Sequence, residues 1–546
     1  EVPTLAVSST AESARMAAAD PTCAGIANAL AAEVHGARVL RRGVQDNPEN
    51  QTAFALVGRL ADADILTGDG SANLLDGGPG ADALRGGGGN DIYVVDNAAD
   101  SVVENAGEGV DEVRTALAVY SLAGLGNVEN LSGTSASGQT LTGNGANNVV
   151  TGGSGNDVLH LWAGGGNDSA NGGAGNDNIF FGATLTAADS VDGGAGSDTL
   201  VVQGPYGSLT LGASVTRIEN VSILAGSNTA FGEPGTNRYD YVLTTNDANF
   251  AAGVQARING SALLAGEDFT FNGSAETDAS YVVYGGKGKD TLLGGLGNDI
   301  FFYAEERFAS GDTVNGGAGY DGMFLRGNYT INFNAPGYTG LFTNIENLTL
   351  TSATDERYAR GGGTEFDYNL TLSNAIVKAG QTLTVSGALL MASETMILDA
   401  SQETDGILRL FGGSAADTLK GGALADIIHG GLGADTLAGG GGADVFRYQS
   451  VTESNALGRD HIIDFTPGAD RIDLAAIDSN RSVGGDQAFA WIGSNAFSKT
   501  AGELRATQSS SQWIVEGDVN GDGFADFVLA LTLQGPTPLG AGAFVL

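Results

Sequence analysis

Cysteine is nearly missing: Cys23 is the only one in 546 residues. A single thiol excludes an intramolecular disulfide framework. Basic residues are scarce, with 25 Lys and Arg against 64 Asp and Glu, a formal net charge of −39. That balance argues against nucleic-acid binding, which sets Lys and Arg on phosphates. A chain this acidic repels itself when compact unless cations neutralise it. There are four histidines (His35, His160, His429 and His461), no two of them four apart, so no His-Glu-x-x-His zinc-hydrolase site can form. No Gly-x-Ser-x-Gly elbow and no Gly-Lys-Ser/Thr phosphate loop occurs. No apolar run is long enough for a transmembrane helix. The first residues do not read as a secretory signal peptide, the sequence opens at Glu1 without Met, and we expect that start to be a processed or truncated end. These absences favour a non-enzymatic reading.

What the chain has is glycine, 87 residues of it against 10 prolines. The period is nine rather than three, so the pattern is not collagen-like. Residues 412–447 are four tandem units, GGSAADTLK, GGALADIIH, GGLGADTLA and GGGGADVFR. Each follows Gly-Gly-x-Gly-x-Asp-x-apolar-x, with Ala415 and Leu424 at the fourth position of the first two. Glycines let the turn reach positive φ and bring carbonyls near an ion. The Asp supplies a hard oxygen that suits Ca²⁺. The apolar residue (Leu419, Ile428, Leu437, Phe446) points into a thin core. A flexible linker does not hold Asp and a large apolar residue at fixed phase. The motif resembles the calcium-binding nonapeptide of RTX parallel β-rolls. That resemblance implies an all-β roll or solenoid in which two units make one turn. Asp417 then sits over Asp435 and Asp426 over Asp444, each pair clamping ions together with the opening glycines Gly412, Gly421, Gly430 and Gly439.

The same unit recurs upstream. A degenerate copy spans 68–76 with Asn73 at the Asp position. Others open at Gly77, Gly86, Gly152, Gly172, Gly193, Gly285, Gly294 and Gly316, and carry Asp82, Asp91, Asp157, Asp177, Asp198, Asp290, Asp299 and Asp321. Residues 143–151 place Asn148 at the Asp position, and 163–171 supply Asp168 after a Leu161-Trp162 insertion. These aspartates and opening glycines are the expected calcium ligands. Between them recurs apolar-Glu-Asn-apolar, at 128–131, 218–221 and 345–348, which we read as coil-corner asparagines. Residues 96–122 read as an acidic strand-rich stretch with Val110, Val113, Val119 and Leu122 at alternating positions.

The implied domains are a head at 1–58, roll and coils at 59–202, a strand-rich module at 203–284, roll at 285–324, a second strand-rich module at 325–411, roll at 412–447 and a tail at 448–546. The strand-rich modules are either widened solenoid coils or β-sandwich insertions. The head is Ala-rich, with a capping box at Ser9–Glu12 and a second helix opening at Asp20-Pro21. It resembles the end of a prephenate dehydratase catalytic domain, a small α/β segment. That family's Thr-Arg-Phe motif falls on Thr52, Ala53 and Phe54, so the Thr is kept and the substrate-binding Arg is lost. Thr52 would be catalytic only if dehydratase-like activity survived, and we expect a cap or an inert remnant.

The tail, DVFRYQSVTESNALGRDHIIDFTPGADRIDLAAID through EGDVNGDGFADFVLALTL to AFVL, resembles the C-terminal domain of serralysin-type metalloproteases. The resemblance implies export by a type I ABC apparatus. Within it Asp518, Asn520, Asp522 and Asp526 have the alternating oxygens of a calcium loop, without its closing Glu. Asp460, Asp464, Asp470 and Asp473 either complete the last roll turn or are solvated strand ends. We therefore expect a secreted, extracellular or bacterial cell-surface protein that folds on calcium and has a structural or adhesive role, with self-assembly into a filament or lattice. The alternative is an enzyme with a dehydratase-like head fused to a secretion tail. A pore-forming toxin would carry an apolar membrane segment that this chain lacks.

Overall fold

The computed structural model describes residues 63–162, 164–229, 237–338, 341–355 and 365–546. The head, with Thr52 and His35, lies outside the described residues. Two compact bodies emerge: one runs to Tyr239 and takes in Leu243–Ala256, and the other holds Asp240–Val242 and Arg257–Leu546.

Both bodies are built from one local rule. Each nonapeptide forms a six-residue turn and a three-residue strand: Thr418–Lys420, Ile427–His429, Thr436–Ala438 and Val445–Arg447. Side chains alternate across a strand, so only the middle residue of each faces fully inward. Leu419, Ile428, Leu437 and Phe446 are buried. Each glycine turn swings the chain to the opposite sheet, and units two apart stack in parallel, Thr418 on Thr436 and Ile427 on Val445. The protein is a parallel β-solenoid.

In the first body eight strands, from Leu74–Asp76 to Val215–Thr216, form one parallel sheet. The alternate strands face it, Ile65–Thr67 with Ala83–Arg85 and Ser101–Val103, then Val119–Ser121 through Asn220–Ile223. Val113 and Leu122 are buried as expected, but Val110 and Val119 are exposed. Their alternation was misread: residues 106–114 are a worn nonapeptide, AGEGVDEVR, in which Val110 is the solvent-facing fifth residue.

In the second body the strand-rich stretches are widened solenoid coils. Tyr368–Thr371 pairs in parallel with Met396–Asp399, which pairs with the calcium-unit strand Thr418–Lys420. Thr382–Ser386 likewise continues through Ile407–Phe411 to Ile427–His429. A sandwich would pair its strands antiparallel. Aromatic rings fill the wider core edge to face: Phe271 on Tyr281 at 4.9 Å, Tyr303 on Phe308 at 5.1 Å, Phe333 on Phe342 at 5.4 Å. Among the described strands only those of the tail change direction. After His461–Phe465, Phe527–Leu533 joins in parallel and then pairs antiparallel with Gln512–Asp518, which pairs with Glu503–Ser509.

Candidate calcium-binding turns

The stacking of the aspartates is direct. The amide of Asp417 donates to the Asp435 carboxylate at 2.8 Å, and that of Asp426 to Asp444 at 2.8 Å. The rows extend both ways. Met396 donates to Asp417 and Leu408 to Asp426, while Asp435 donates to Asp460 at 2.9 Å and Asp444 to Asp470 at 3.1 Å. Asp460 and Asp470 are buried and complete the roll, Asp464 accepts from Gly439 and Gly440, and Asp473 pairs with Arg447. The first body repeats the arrangement: Gln139 donates to Asp157, Asp157 to Asp177 and Asp177 to Asp198 in one row, Asn148 to Asp168 in the other. In the second body Tyr281 donates to Asp299 and Asp299 to Asp321.

The turns come in two states. In a closed turn the second glycine's amide donates back to the unit's own Asp, as Gly153 does to Asp157, Gly295 to Asp299, Gly413 to Asp417 and Gly422 to Asp426, at 2.6–2.8 Å. In an open turn the second and fourth residues take positive φ, +93° and +137° at Gly431 and Gly433, +88° and +111° at Gly440 and Gly442. The amide then turns away, and the Oδ2 atoms of Asp177, Asp198, Asp321, Asp435 and Asp444 are buried without a hydrogen-bond partner. In the last roll the open turns lie one coil downstream of closed ones, Gly430 on Gly412 and Gly439 on Gly421, whereas in the first body the open Gly193 turn lies on the open Gly172 turn. This is why Ala415 and Leu424 are tolerated. Both occupy the fourth position of closed turns, where no positive φ is required.

These atoms fit a hard divalent cation. A buried anionic oxygen with no donor is costly unless a cation meets it. The opening glycines leave the necessary space: a β-carbon at Gly412 or Gly421 would overlap both the carbonyl of the glycine one coil on and the unit's own Asp. Opening glycines therefore serve close approach, while positive φ belongs to positions two and four. The same overlap with the unit's own Asp marks Gly77, Gly86, Gly152, Gly172, Gly193, Gly285, Gly294, Gly316, Gly430 and Gly439.

Several row members escaped the sequence reading. Asp111, Asp189 and Asp312 are buried and accept from Asp91, Asp168 and Asp290. Their signal was Asp-x-Val, kept at Asp189 and Asp312 after the opening glycines were lost and at Asp111 in a unit that opens on Ala106 but keeps Gly107 and Gly109. The apolar-Glu-Asn-apolar repeat belongs to the same ladder. Glu129, Glu219 and Glu346 accept the amides of Asp111, Asp198 and Asp321, each at 2.8 Å. The glutamate, rather than the asparagine, is the row residue, and Asn130, Asn220 and Asn347 each open the strand that follows.

In the tail loop Asp518 accepts from Gly521 and Gly523, Asp526 from Val519, and Asn520 and Asp522 from the amides two residues on. His160 and His429, each the last residue of a calcium unit, are partly covered. His160 packs edge-on against Phe180, and His429 meets Glu453 at 3.1 Å.

Three family models match. The RTX calcium-binding nonapeptide repeat matches 60–93, 135–164, 160–183, 185–201 and 282–304. The turns are RTX repeats, and they bind calcium. The Peptidase M10 serralysin C terminal model matches 365–537, beginning well before residue 412 and including the four tandem RTX units. Prephenate dehydratase matches 1–62. No curated protein matches the chain. RTX repeats joined to a serralysin C-terminal region are typical of secreted proteins, and both are present here. Among the described residues no helix is long and apolar enough to cross a membrane.

Without the ion the carboxylates of the last roll resist ionisation. Burial, reinforced by the stacked neighbour, raises Asp435 and Asp444 to about 7, and burial raises Asp417 and Asp426 to about 6. Unfolded carboxylates titrate near 4. The ion-free fold therefore holds more protons than the unfolded chain between about pH 4 and 7, and loses stability as pH rises through that window. Chelated protein is expected to gain β-structure, followed by circular dichroism, as pH falls from about 8 toward 5.5. Loss of β-structure on the same acidification would contradict this.

Proposed function

We propose that the chain is a secreted, calcium-binding structural or adhesive protein of a surface layer, filament or extracellular matrix. It folds on calcium after type I export. The observation that carries the reading is the set of buried, donor-free carboxylates distributed along stacked turns rather than gathered in one cleft. The proposed ligands are Asp82, Asp91, Asp157, Asp168, Asp177, Asp198, Asp290, Asp299, Asp321, Asp417, Asp426, Asp435 and Asp444 with the carbonyls around their opening glycines. The oxygens of Asp518, Asn520, Asp522 and Asp526 form a further loop of the same chemistry. Calcium supplies positive charge between like-charged coils, and the chain supplies spacing, carbonyls and burial. An extracellular site tuned to about 10⁻⁴–10⁻³ M stays empty in a calcium-poor cytosol and fills outside, where binding favours the folded state.

Coils that stack within a chain also stack between chains where end coils are uncapped. The test is electron microscopy of calcium-loaded and chelated protein. Ordered assemblies only with calcium support the reading; monodisperse particles in both states sink the assembly role. The prephenate dehydratase match favours a second reading, an enzymatic head on a secretion tail, with Thr52 in its motif. Phenylpyruvate formation from prephenate would establish it.

A further inference from the structure

Two RTX rows of the second body do not start on a glycine turn. One coil upstream of the Gly421 unit, the place of a second-position glycine is taken by Glu403. Ala423 donates to the Glu403 carbonyl at 2.9 Å, as Gly441 donates to the Gly422 carbonyl at 2.9 Å one coil later. Glu276 holds the same place above the Gly294 unit, with Leu296 donating to its carbonyl. Both glutamates sit in a recurring Glu-Thr-Asp, at 276–278 and 403–405.

Both side chains have zero exposure. Oε1 of Glu403 accepts three amides, from Thr404, Asp405 and Gly406 at 3.0–3.2 Å, and Oε1 of Glu276 accepts those of Thr277, Asp278 and Ala279. Oε2 of each has no partner. Each glutamate also acts electrostatically, as a like charge, on a buried Asp of the coil below, Asp299 for Glu276 and Asp426 for Glu403. Two buried carboxylates with a bare oxygen between coils call for a cation.

The opposite edge of the same coils provides an internal contrast. There the equivalent places above the Gly285 and Gly412 units hold Leu263 and Leu390, whose carbonyls accept from Lys287 and Ser414. Leucine offers no side-chain ligand, so those rows begin one coil lower.

We propose that Glu276 and Glu403 each close an additional calcium site at the upstream end of an RTX row, with Asp299 and Asp426 as the facing carboxylates. The proposal rests on the calcium reading of the turns. Equilibrium dialysis of the full chain with radioactive calcium tests it, comparing wild type with Glu276→Gln, Glu403→Gln and the double variant. Glutamine keeps an acceptor for the three amides and removes the charge. Each single substitution is expected to remove one bound calcium or weaken one site at least tenfold, and the double variant to do both, with the chelated-state spectrum unchanged. Wild-type number and affinity in the double variant would overturn the proposal. Absence of calcium binding by the wild type would instead overturn the reading beneath it. Should Glu403→Gln fail to fold, Glu403→Asp decides: one weakened site supports the assignment, and unchanged affinity at every site overturns it.

Discussion

A Gly433→Ala chain loses much of the stability of the last roll even in saturating calcium. Gly433 has φ of +137°, a region that side-chain-bearing residues rarely enter, and a β-carbon there would run into the Ala415 carbonyl of the coil above. Strain of this kind costs about 1–3 kcal/mol, and forced displacement of a packed neighbour adds a similar amount. The expected loss is about 2–5 kcal/mol, read as a lowered denaturant midpoint in calcium. Gly88→Ala is the matched control. Gly88 is the third residue of an RTX turn, its φ is not positive, and the nearest atom to a new β-carbon is 3.5 Å away. It should change stability by no more than about 0.5 kcal/mol. Equal damage from both would mean that turn geometry does not distinguish these positions.

The second large effect reverses sign with calcium. Asp435→Asn keeps the side-chain shape and an acceptor for the Asp417 amide, but deletes the charge whose Oδ2 has no protein partner. With calcium present, fewer anionic ligands mean weaker binding. Each tenfold loss of affinity removes about 1.4 kcal/mol of calcium-linked stability at high ion concentration. In chelator at about pH 8, the same substitution should stabilise the fold, because wild-type Asp435 must hold a buried charge beside Asp417. Denaturant midpoints in calcium and in chelator check both arms. A variant destabilised equally in each would show that Asp435 acts through its hydrogen bond alone.

Where glycine, aspartate and the apolar eighth residue coincide, the sequence was enough to predict both the turn and its register, as at Asp417 over Asp435. The chemistry of the repeat is local, six residues of turn and three of strand, and local chemistry is readable. Rows worn down to Asp-x-Val, such as Asp189 and Asp312, escaped because stacking on intact neighbours preserves the turn after its opening glycines are gone, and Asp111 escaped because its unit opens on Ala106. Glu129, Glu219 and Glu346 were visible as a repeat but given the wrong residue, since only the stacked coil reveals that the glutamate reaches the amide above. The strand-rich stretches left two folds open, because alternation fixes strands and not their partners. Pairing to calcium-unit strands on either side decided for coils. Glu276 and Glu403 carried no legible role, because a buried carboxylate in a loop acquires meaning only from the glycine turn beneath it.

The central claim is that calcium, by neutralising stacked buried carboxylates, makes this chain fold. Far-ultraviolet circular dichroism of the full chain during a calcium titration from chelated protein tests it most directly. The account predicts little β-structure in chelator near pH 8 and a cooperative rise as free calcium passes about 10⁻⁴–10⁻³ M. A full β-spectrum in chelator, with a thermal midpoint that calcium does not move, would contradict it.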